Sequence, residues 1–367
     1  MSTPLERRGE VLRLARVLGV DPSELDVLDG AGTAELRELR HAVADRLLDR
    51  SREQFSRAVQ LGDLVPGPIA AKLSQHVMGP VLGGRAAALL TPQKAADLAK
   101  RLPPDFLADV ACHVDIRKVQ PLLAGIDRRT MADAGAHLRR REEWVVLGAF
   151  VGYVPDDVVA DLLDGFDGEA LLRSGVVIED ASRIDAVVGM LSEARLDGLL
   201  QAADEHGLWG DIVSLNVHLG DDQLRRVTDA VQRMSGARIE ALAALLGGDD
   251  ELRSAAAPIV ERLTPVFLAD VAARVDLQAV GPLLDGIPHA TLAEAGAELE
   301  RREQWELLGR LMVALDDDVL RTLVPAFGDD TLLRAGATIG DRARLEGLLA
   351  LLPEERRTAE LRGLAEA

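Results

Sequence analysis

Two long stretches of the sequence repeat each other. Residues 102–175 align with residues 263–336 without a gap, and roughly half of the aligned positions are identical. Both copies keep a shared set of landmarks: Phe106/Phe267, Asp109/Asp270, Pro121/Pro282, Gly125/Gly286, Arg141/Arg302, Trp144/Trp305, Gly148/Gly309, Phe166/Phe327 and Arg173/Arg334. Each copy is longer than a simple solenoid repeat, so it is expected to hold several helical hairpins. The pattern predicts tandem duplication of a many-helix unit.

Composition and local signals favour helices. Ala, Leu, Arg and Glu are strong helix formers and are abundant, whereas aromatic residues make up 3% of the chain. Thr91-Pro92 and Thr264-Pro265 have the form of an N-cap followed by proline, and Gly19 is a plausible helix stop. Helices of about ten residues are stable only when they stack on neighbours. We expect an all-α, superhelical, α-solenoid-like stack of short helices.

The same patterns suggest three segments. Residues 1–40 are predicted to form a separate helical segment, with one helix from about Leu5 to Leu18 and a second from near Thr33. Residues 41–200 would be the first helical repeat unit and residues 201–367 the second. Each unit would then contain one of the two repeated stretches.

The charge and the single cysteine restrict partners and location. The formal net charge of −19 argues against a nucleic-acid partner, since phosphate binding needs a basic face. The richest apolar stretch, residues 81–90, is interrupted by Gly84 and Arg85, and no apolar run is long enough to cross a bilayer. Cys112 is the only cysteine, so a disulfide framework is impossible. The N-terminus also lacks a signal-peptide pattern, and we expect a cytoplasmic protein.

Sequence motifs for catalysis and cofactor binding are missing. The patterns G-x-S-x-G, G-x-G-x-x-G and H-E-x-x-H and the P-loop do not occur. Asp109 and His113 could share a helix face as metal ligands, but the second copy has Asp270 and Arg274 there, which favours an ion pair. Cys112 is replaced by alanine in the second copy, which favours a small buried side chain over a nucleophile. We expect no metal and no cofactor.

Six residues are candidates for ligand binding: Trp144, Trp305, Arg141, Arg302, His206 and Trp209. The two repeated tryptophans would be either aromatic anchors of two related pockets or large core residues. The two repeated arginines could form local salt bridges or bind an acidic ligand. The histidine–tryptophan pair lies in the most distinctive unrepeated stretch, where it could form a pocket or only anchor a loop.

Two apolar segments rich in Gly and Pro precede the first repeated stretch. Residues 66–73 and 77–84 are predicted to form irregular, closely packed hairpins. An apolar cavity for a lipid or terpenoid would need such walls. A well-filled core would need them as well, so both interpretations stay open.

A family resemblance is carried by two acidic–apolar motifs. They are Pro155-Asp-Asp-Val-Val-Ala-Asp-Leu-Leu-Asp and Asp316-Asp-Asp-Val-Leu-Arg-Thr-Leu-Val. These motifs resemble the superhelical N-terminal domain of MgtE-type magnesium transporters and the middle segments of the flagellar switch protein FliG. The resemblance implies a superhelical fold with regulatory or assembly contacts. Because the CBS domains and membrane helices of the transporter are missing, it does not imply transport. The whole chain also resembles actinobacterial helical proteins of unknown function.

Three functional hypotheses follow. The leading one is a non-enzymatic interaction or scaffold module that binds another protein in a groove between the duplicated units. The alternative is a carrier or binding protein for an apolar small molecule. The third is an enzyme that uses His206 or His113, although His206 has no evident Ser, Cys or metal partner in the sequence.

Overall fold

The computed structural model describes residues 4–63, 66–275, 277, 284 and 287–366. Within these ranges every regular element is helical, which confirms the all-α prediction. Most helices are short, and several are joined by 3₁₀ turns such as Pro22–Leu28 and Asn216–His218. Among the described helices, none is both long and apolar enough to span a membrane.

The chain divides into two compact units, of which the first is Met1–His218. Its α-helices are α1 (Pro4–Leu18), α2 (Thr33–Asp63), α3 (Gly67–Leu73), α4 (Gly79–Ala87), α5 (Pro92–Ala99), α6 (Pro104–Ala111), α7 (Ile116–Leu123), α8 (Arg128–Arg140), α9 (Trp144–Val151), α10 (Asp156–Asp164), α11 (Gly168–Gly175), α12 (Ser182–Met190), α13 (Glu193–Glu205) and α14 (Trp209–Leu215). A π-helical turn, Ser74–Met78, links α3 to α4. Helix α1 packs on α2 and contacts α9.

The second unit is Leu219–Ala367. Its described α-helices are α15 (Asp221–Gln232), α16 (Gly236–Gly248), α17 (Asp250–Val260), α18 (Pro265–Ala272), α19 (His289–Arg301), α20 (Trp305–Ala314), α21 (Asp317–Leu323), α22 (Asp329–Gly336), α23 (Arg342–Ala350) and α24 (Ala359–Glu366). A continuous apolar core holds these helices together, with Leu299, Leu308 and Leu320 almost completely buried. The sequence-based boundary between residues 200 and 201 falls inside α13.

Several helix starts follow directly from the predicted caps. Thr91 Oγ1 accepts a hydrogen bond from the Lys94 backbone N–H at the start of α5, and Thr264 Oγ1 accepts one from Phe267 at the start of α18. Each cap satisfies a backbone donor that has no partner inside its helix. Gly19 follows α1 with a φ of 71°, which glycine adopts without the steric cost that other residues meet.

Helices α8 and α19 end in the same way. After α8, the Glu142 N–H bonds the Arg139 carbonyl and the Glu143 N–H bonds the Leu138 carbonyl, which is a Schellman motif. The same two bonds recur after α19, from Glu303 and its successor. The turning residue is a glutamate in both units, with φ values of 56° and 55°, although this left-handed position usually holds glycine.

A glycine at matching positions lets two helix pairs approach closely. A Cβ added to Gly148 on α9 would lie 2.6 Å from the Ser174 carbonyl oxygen of α11. A Cβ added to Gly309 on α20 would lie 2.9 Å from the Ala335 carbonyl oxygen of α22. Both distances are shorter than real contacts allow, so the packing of these pairs requires the absence of a side chain.

A buried charge network attaches the N-terminal helices to the rest of the first unit. Glu10 on α1 is 0% exposed and accepts hydrogen bonds from Arg13, Arg37 and Arg40 at 2.8–3.0 Å. Arg40 on α2 also donates to Glu179 Oε1 at 2.6 Å, beyond the end of α11. Because a buried carboxylate is tolerated only when it is paired, these bonds fix α1 and α2 against the repeated helices.

Candidate functional site

Two neighbouring cavities lie in the first unit, and the larger of the two is almost wholly apolar. This apolar cavity measures ≈ 190 Å³ and is lined by residues of α4–α10 and of the π-helical turn. Its walls are mainly Leu, Val and Ala, with Phe106 and Phe150, while Ser74 and Thr130 supply the polar side chains of the lining. A ligand in it would therefore be held by apolar contact.

Small residues create this space. Ala95 and Ala99 lie on the buried side of α5, where larger side chains would fill the volume. Gly83 and Ala87 of α4 also line the cavity. The two segments predicted to form hairpins are instead the helices α3 and α4 with the π-helical turn between them, and Gly83 is their contribution to the lining.

The outer surface of the same segment is also apolar. Ile69 is 51% exposed and Val77 is 71% exposed, and Leu73, Val81 and Leu82 are exposed as well. This segment therefore has apolar residues both on its outer surface and in the lining of the cavity.

A second cavity, which we call the polar cavity, measures ≈ 170 Å³ and carries five basic side chains. These are Arg13, Arg16, Arg40, Arg85 and Lys118. The acidic members of the lining are Asp115 and Glu179. This concentration of positive charge is unexpected in a chain of net charge −19. Whether the cavity could bind an anion depends on which of the five side chains already have a carboxylate partner.

Four of the five basic side chains have a carboxylate partner. The pairs are Arg13–Glu10 at 3.0 Å, Arg16–Glu143 at 2.5 Å, Arg40–Glu179 at 2.6 Å and Lys118–Asp45 at 2.6 Å. Arg85 is half-buried and has neither an ion pair nor a hydrogen bond within the described part of the chain. Among the described residues it is therefore the one basic group of this cavity without a carboxylate partner.

The position of Arg85 is set by a close helix contact. A Cβ added to the preceding residue, Gly84, would lie 2.8 Å from the His113 Cβ and 2.9 Å from its carbonyl carbon. Helix α4 thus packs directly on the C-terminal end of α6. Burial, together with the positive charges of Arg16 and Arg85, lowers the pKa of His113 below its ordinary value, so this imidazole is neutral at pH 7.

Cys112 lies beside these groups without the features of a nucleophile. The residue is half-buried and packs against an apolar cluster that includes Leu138 and Val146. Burial raises the pKa of its thiol, which disfavours the reactive thiolate. This agrees with the sequence-based interpretation of a small packing residue.

Trp144 and Trp305 occupy comparable places. Each is half-buried at the first position of its helix, α9 or α20, and packs against an apolar cluster. The two indole rings contact different side chains. Trp144 and Phe166 make an edge-to-face contact with a centroid distance of 6.3 Å, whereas the guanidinium of Arg334 lies 5.3 Å from the centroid of the Trp305 ring. Neither tryptophan lines the apolar or the polar cavity.

Arg141 and Arg302 form ion pairs at matching positions. Arg141 binds Asp109, and Arg302 binds Asp270 at 2.5 Å, in each case between two helices. The ion pair of Asp270 is thus formed with Arg302 and not with Arg274, the partner expected from the helical spacing. Both guanidinium groups are therefore engaged by protein carboxylates.

His206 and Trp209 lie at the turn between α13 and α14. His206 is exposed, with Nε2 3.4 Å from Glu169 Oε2, and Gly207 adopts a φ of 65° at the turn. Trp209 is 6% exposed, and its Nε1 donates to Asp204 Oδ1 at 3.5 Å. These contacts anchor the turn, and the two residues line neither cavity.

Within the described ranges, no group of three or more His, Cys, Asp or Glu side chains is placed to hold a metal ion. In the sequence, Arg85 is recognisable only as an interruption of an apolar stretch. Whether Arg85 finds a carboxylate partner depends on how α4 packs against α6, and a local sequence pattern does not determine this packing. The one signal for Arg85 in the sequence is that it interrupts the most apolar stretch of the chain.

Comparison with known proteins gives no match to a family model, to a curated protein or to a solved structure. The resemblance to the MgtE-type domain and to FliG therefore stays a prediction.

Proposed function

We propose that the first unit binds a small, largely apolar molecule in the apolar cavity. The observation that supports this is the cavity itself, ≈ 190 Å³ with an almost entirely aliphatic and aromatic lining. Water in such a space lacks hydrogen-bond partners, so an apolar cavity of this size tends to stay dry. An apolar ligand gains about 25 cal/mol per Å² of surface removed from water.

We further infer that the two units descend from a tandem duplication and stack their helices in a solenoid-like manner. Three features recur at matching positions and support this: the Schellman turns at Glu142 and Glu303, the ion pairs of Arg141 and Arg302, and the close glycine contacts. The interaction-module hypothesis, with its groove between the units, stays a prediction.

Filling the apolar cavity tests the proposed function. Ala134 on α8 lines the cavity, so Ala134→Leu would place an isobutyl group in the ligand volume. We expect the affinity for a neutral fluorescent apolar probe to fall by about tenfold or more, while helicity is kept. Fluorescence titration of the purified, delipidated protein measures this, and native mass spectrometry after organic extraction would identify any co-purified ligand.

The matched control is Ala241→Leu, the same substitution at an exposed position of the second unit. This variant is expected to bind the probe as the wild type does. Equal binding by wild type and Ala134→Leu, or no binding by the wild type, would contradict the proposal.

A further inference from the structure

We propose that the ligand is an amphipathic monoanion, whose acidic group is bound by Arg85 in the polar cavity while its apolar part occupies the apolar cavity. This inference rests on the proposed function, because the apolar cavity must first be a ligand site. It adds the chemical class of the ligand and names the residue that recognises its head group.

The two cavities are neighbours. Ala111, Val114 and Phe150, from α6, the turn after α6 and α9, line both of them, so the two spaces adjoin at these side chains. A single molecule with a polar end and an apolar body matches this arrangement. A purely apolar ligand would leave the polar cavity unused.

The pairing of the basic side chains indicates an acidic group on the ligand. Four of the five basic side chains of the polar cavity have a carboxylate partner, in Glu10, Glu143, Glu179 or Asp45, and within the described residues Arg85 has none. A half-buried guanidinium without a counter-charge is unfavourable, and an acidic ligand group would remove that cost.

Further donors are available next to Arg85. The Nε of Arg16 is buried without a hydrogen-bond acceptor, and Arg16 lines the same cavity. His113, which touches α4 at Gly84, also lines it. Two cationic side chains and an imidazole can together satisfy the oxygens of one carboxylate.

The single unpaired cation limits the charge of the ligand. Asp115 and Glu179 also line the cavity, but each is paired, with Arg117 and Arg40 at 2.6 Å, so within the described residues Arg85 is the one unpaired charge that the lining offers. A carboxylate, which carries one charge, therefore fits better than a phosphate monoester, which carries nearly two at neutral pH. The carboxylate and the phosphate would both bind through anionic oxygens, and the experiment distinguishes the two groups.

A comparison of matched head groups tests the inference. Decanoic acid, 1-decanol and decyl phosphate share one chain and differ in the head group, and each would displace the neutral probe from the full-length protein at pH 7.5. We expect decanoic acid to bind at least about tenfold more tightly than the alcohol, with decyl phosphate weaker than the acid. In Arg85→Met the acid should lose this preference, while the affinity for 1-decanol stays unchanged.

The control variant is Arg140→Met, which removes an exposed arginine that lines neither cavity. It should keep the full preference for the acid. Equal affinities of wild type for acid and alcohol would overturn the anionic subsite and leave the proposed function intact. Tighter binding of decyl phosphate would overturn the monoanion assignment, and an unchanged preference in Arg85→Met would overturn the role of Arg85. Failure of all three ligands to bind would overturn the proposed function as well.

Discussion

At the scale of single residues, Glu10 shows how a buried charge can be a structural element. Its carboxylate accepts three arginine hydrogen bonds and is completely shielded from water. Burial alone raises the pKa of Glu10, but the charges of Arg13 and Arg40 and the hydrogen bond from Arg37 outweigh it, so the pKa lies below its ordinary value. The ionised form is thus favoured by folding.

Replacing Glu10 should therefore destabilise the first unit. Glu10→Gln keeps the shape but leaves the arginines without their shared counter-charge, and we expect a loss of about 3 kcal/mol at pH 7. Because the folded-state pKa is lowered, the contribution is complete above the unfolded value of 4.5 and is lost as the pH falls through the folded-state value. Urea unfolding at several pH values measures the difference from wild type.

Glu38→Gln, on the exposed side of α2, is the control for Glu10→Gln and should change the stability little. A difference between Glu10→Gln and wild type that stays constant from pH 7 to pH 3 would show that the Glu10 carboxylate does not titrate as described.

At the scale of elements, the ends of α8 and α19 carry the same local strain. Both Schellman turns place a glutamate in the left-handed region, where a Cβ meets the backbone. The two glutamates have no ion pair or hydrogen bond of their side chains within the described residues, so the strain is not offset by a contact. Both positions are therefore sites where glycine would suit the backbone better.

Glu142→Gly and Glu303→Gly should each stabilise the protein by about 0.5 to 1 kcal/mol. Glu142→Ala is the matched comparison, because it removes the same charge but keeps the Cβ. Thermal unfolding followed by circular dichroism measures the change. If the glycine variant proves no more stable than the alanine variant, the left-handed conformation at this turn is not strained.

Helix starts could be predicted from the sequence, whereas the cavity and the unpaired state of Arg85 among the described residues could not. The starts of α5 and α18 were predictable because a threonine followed by proline satisfies helix-end donors locally. The cavity was not predictable, since small apolar residues such as Ala95 serve equally well in a filled core. The role of Arg85 was hidden for a different reason: whether an arginine finds a carboxylate depends on helix packing across the fold.

At the scale of the whole molecule, the second unit has a core that is continuous within itself. Its buried residues run from Ile239 to Leu361 and include the fully enclosed Leu299 and Leu320. A unit with its own core is expected to fold when it is expressed alone.

A fragment of residues 219–367 should therefore be helical and unfold cooperatively. In this fragment, Leu320→Ala should lower the free energy of unfolding by about 2 to 5 kcal/mol, because it opens a cavity in the core. Leu245→Ala, at a side chain that is 38% exposed, should cost much less. Denaturant titration with circular dichroism gives both values. A fragment that stays unfolded, or equal losses in the two variants, would refute this description of the second unit.

Helix α4 lies before the first repeated stretch, and this has a consequence for stoichiometry. Arg85 has no counterpart among the duplicated positions, which begin at residue 102. The proposed head-group site is thus present once per chain, although the sequence that follows it is repeated. We therefore expect the ligand to saturate the protein at one equivalent, with a simple hyperbolic binding isotherm.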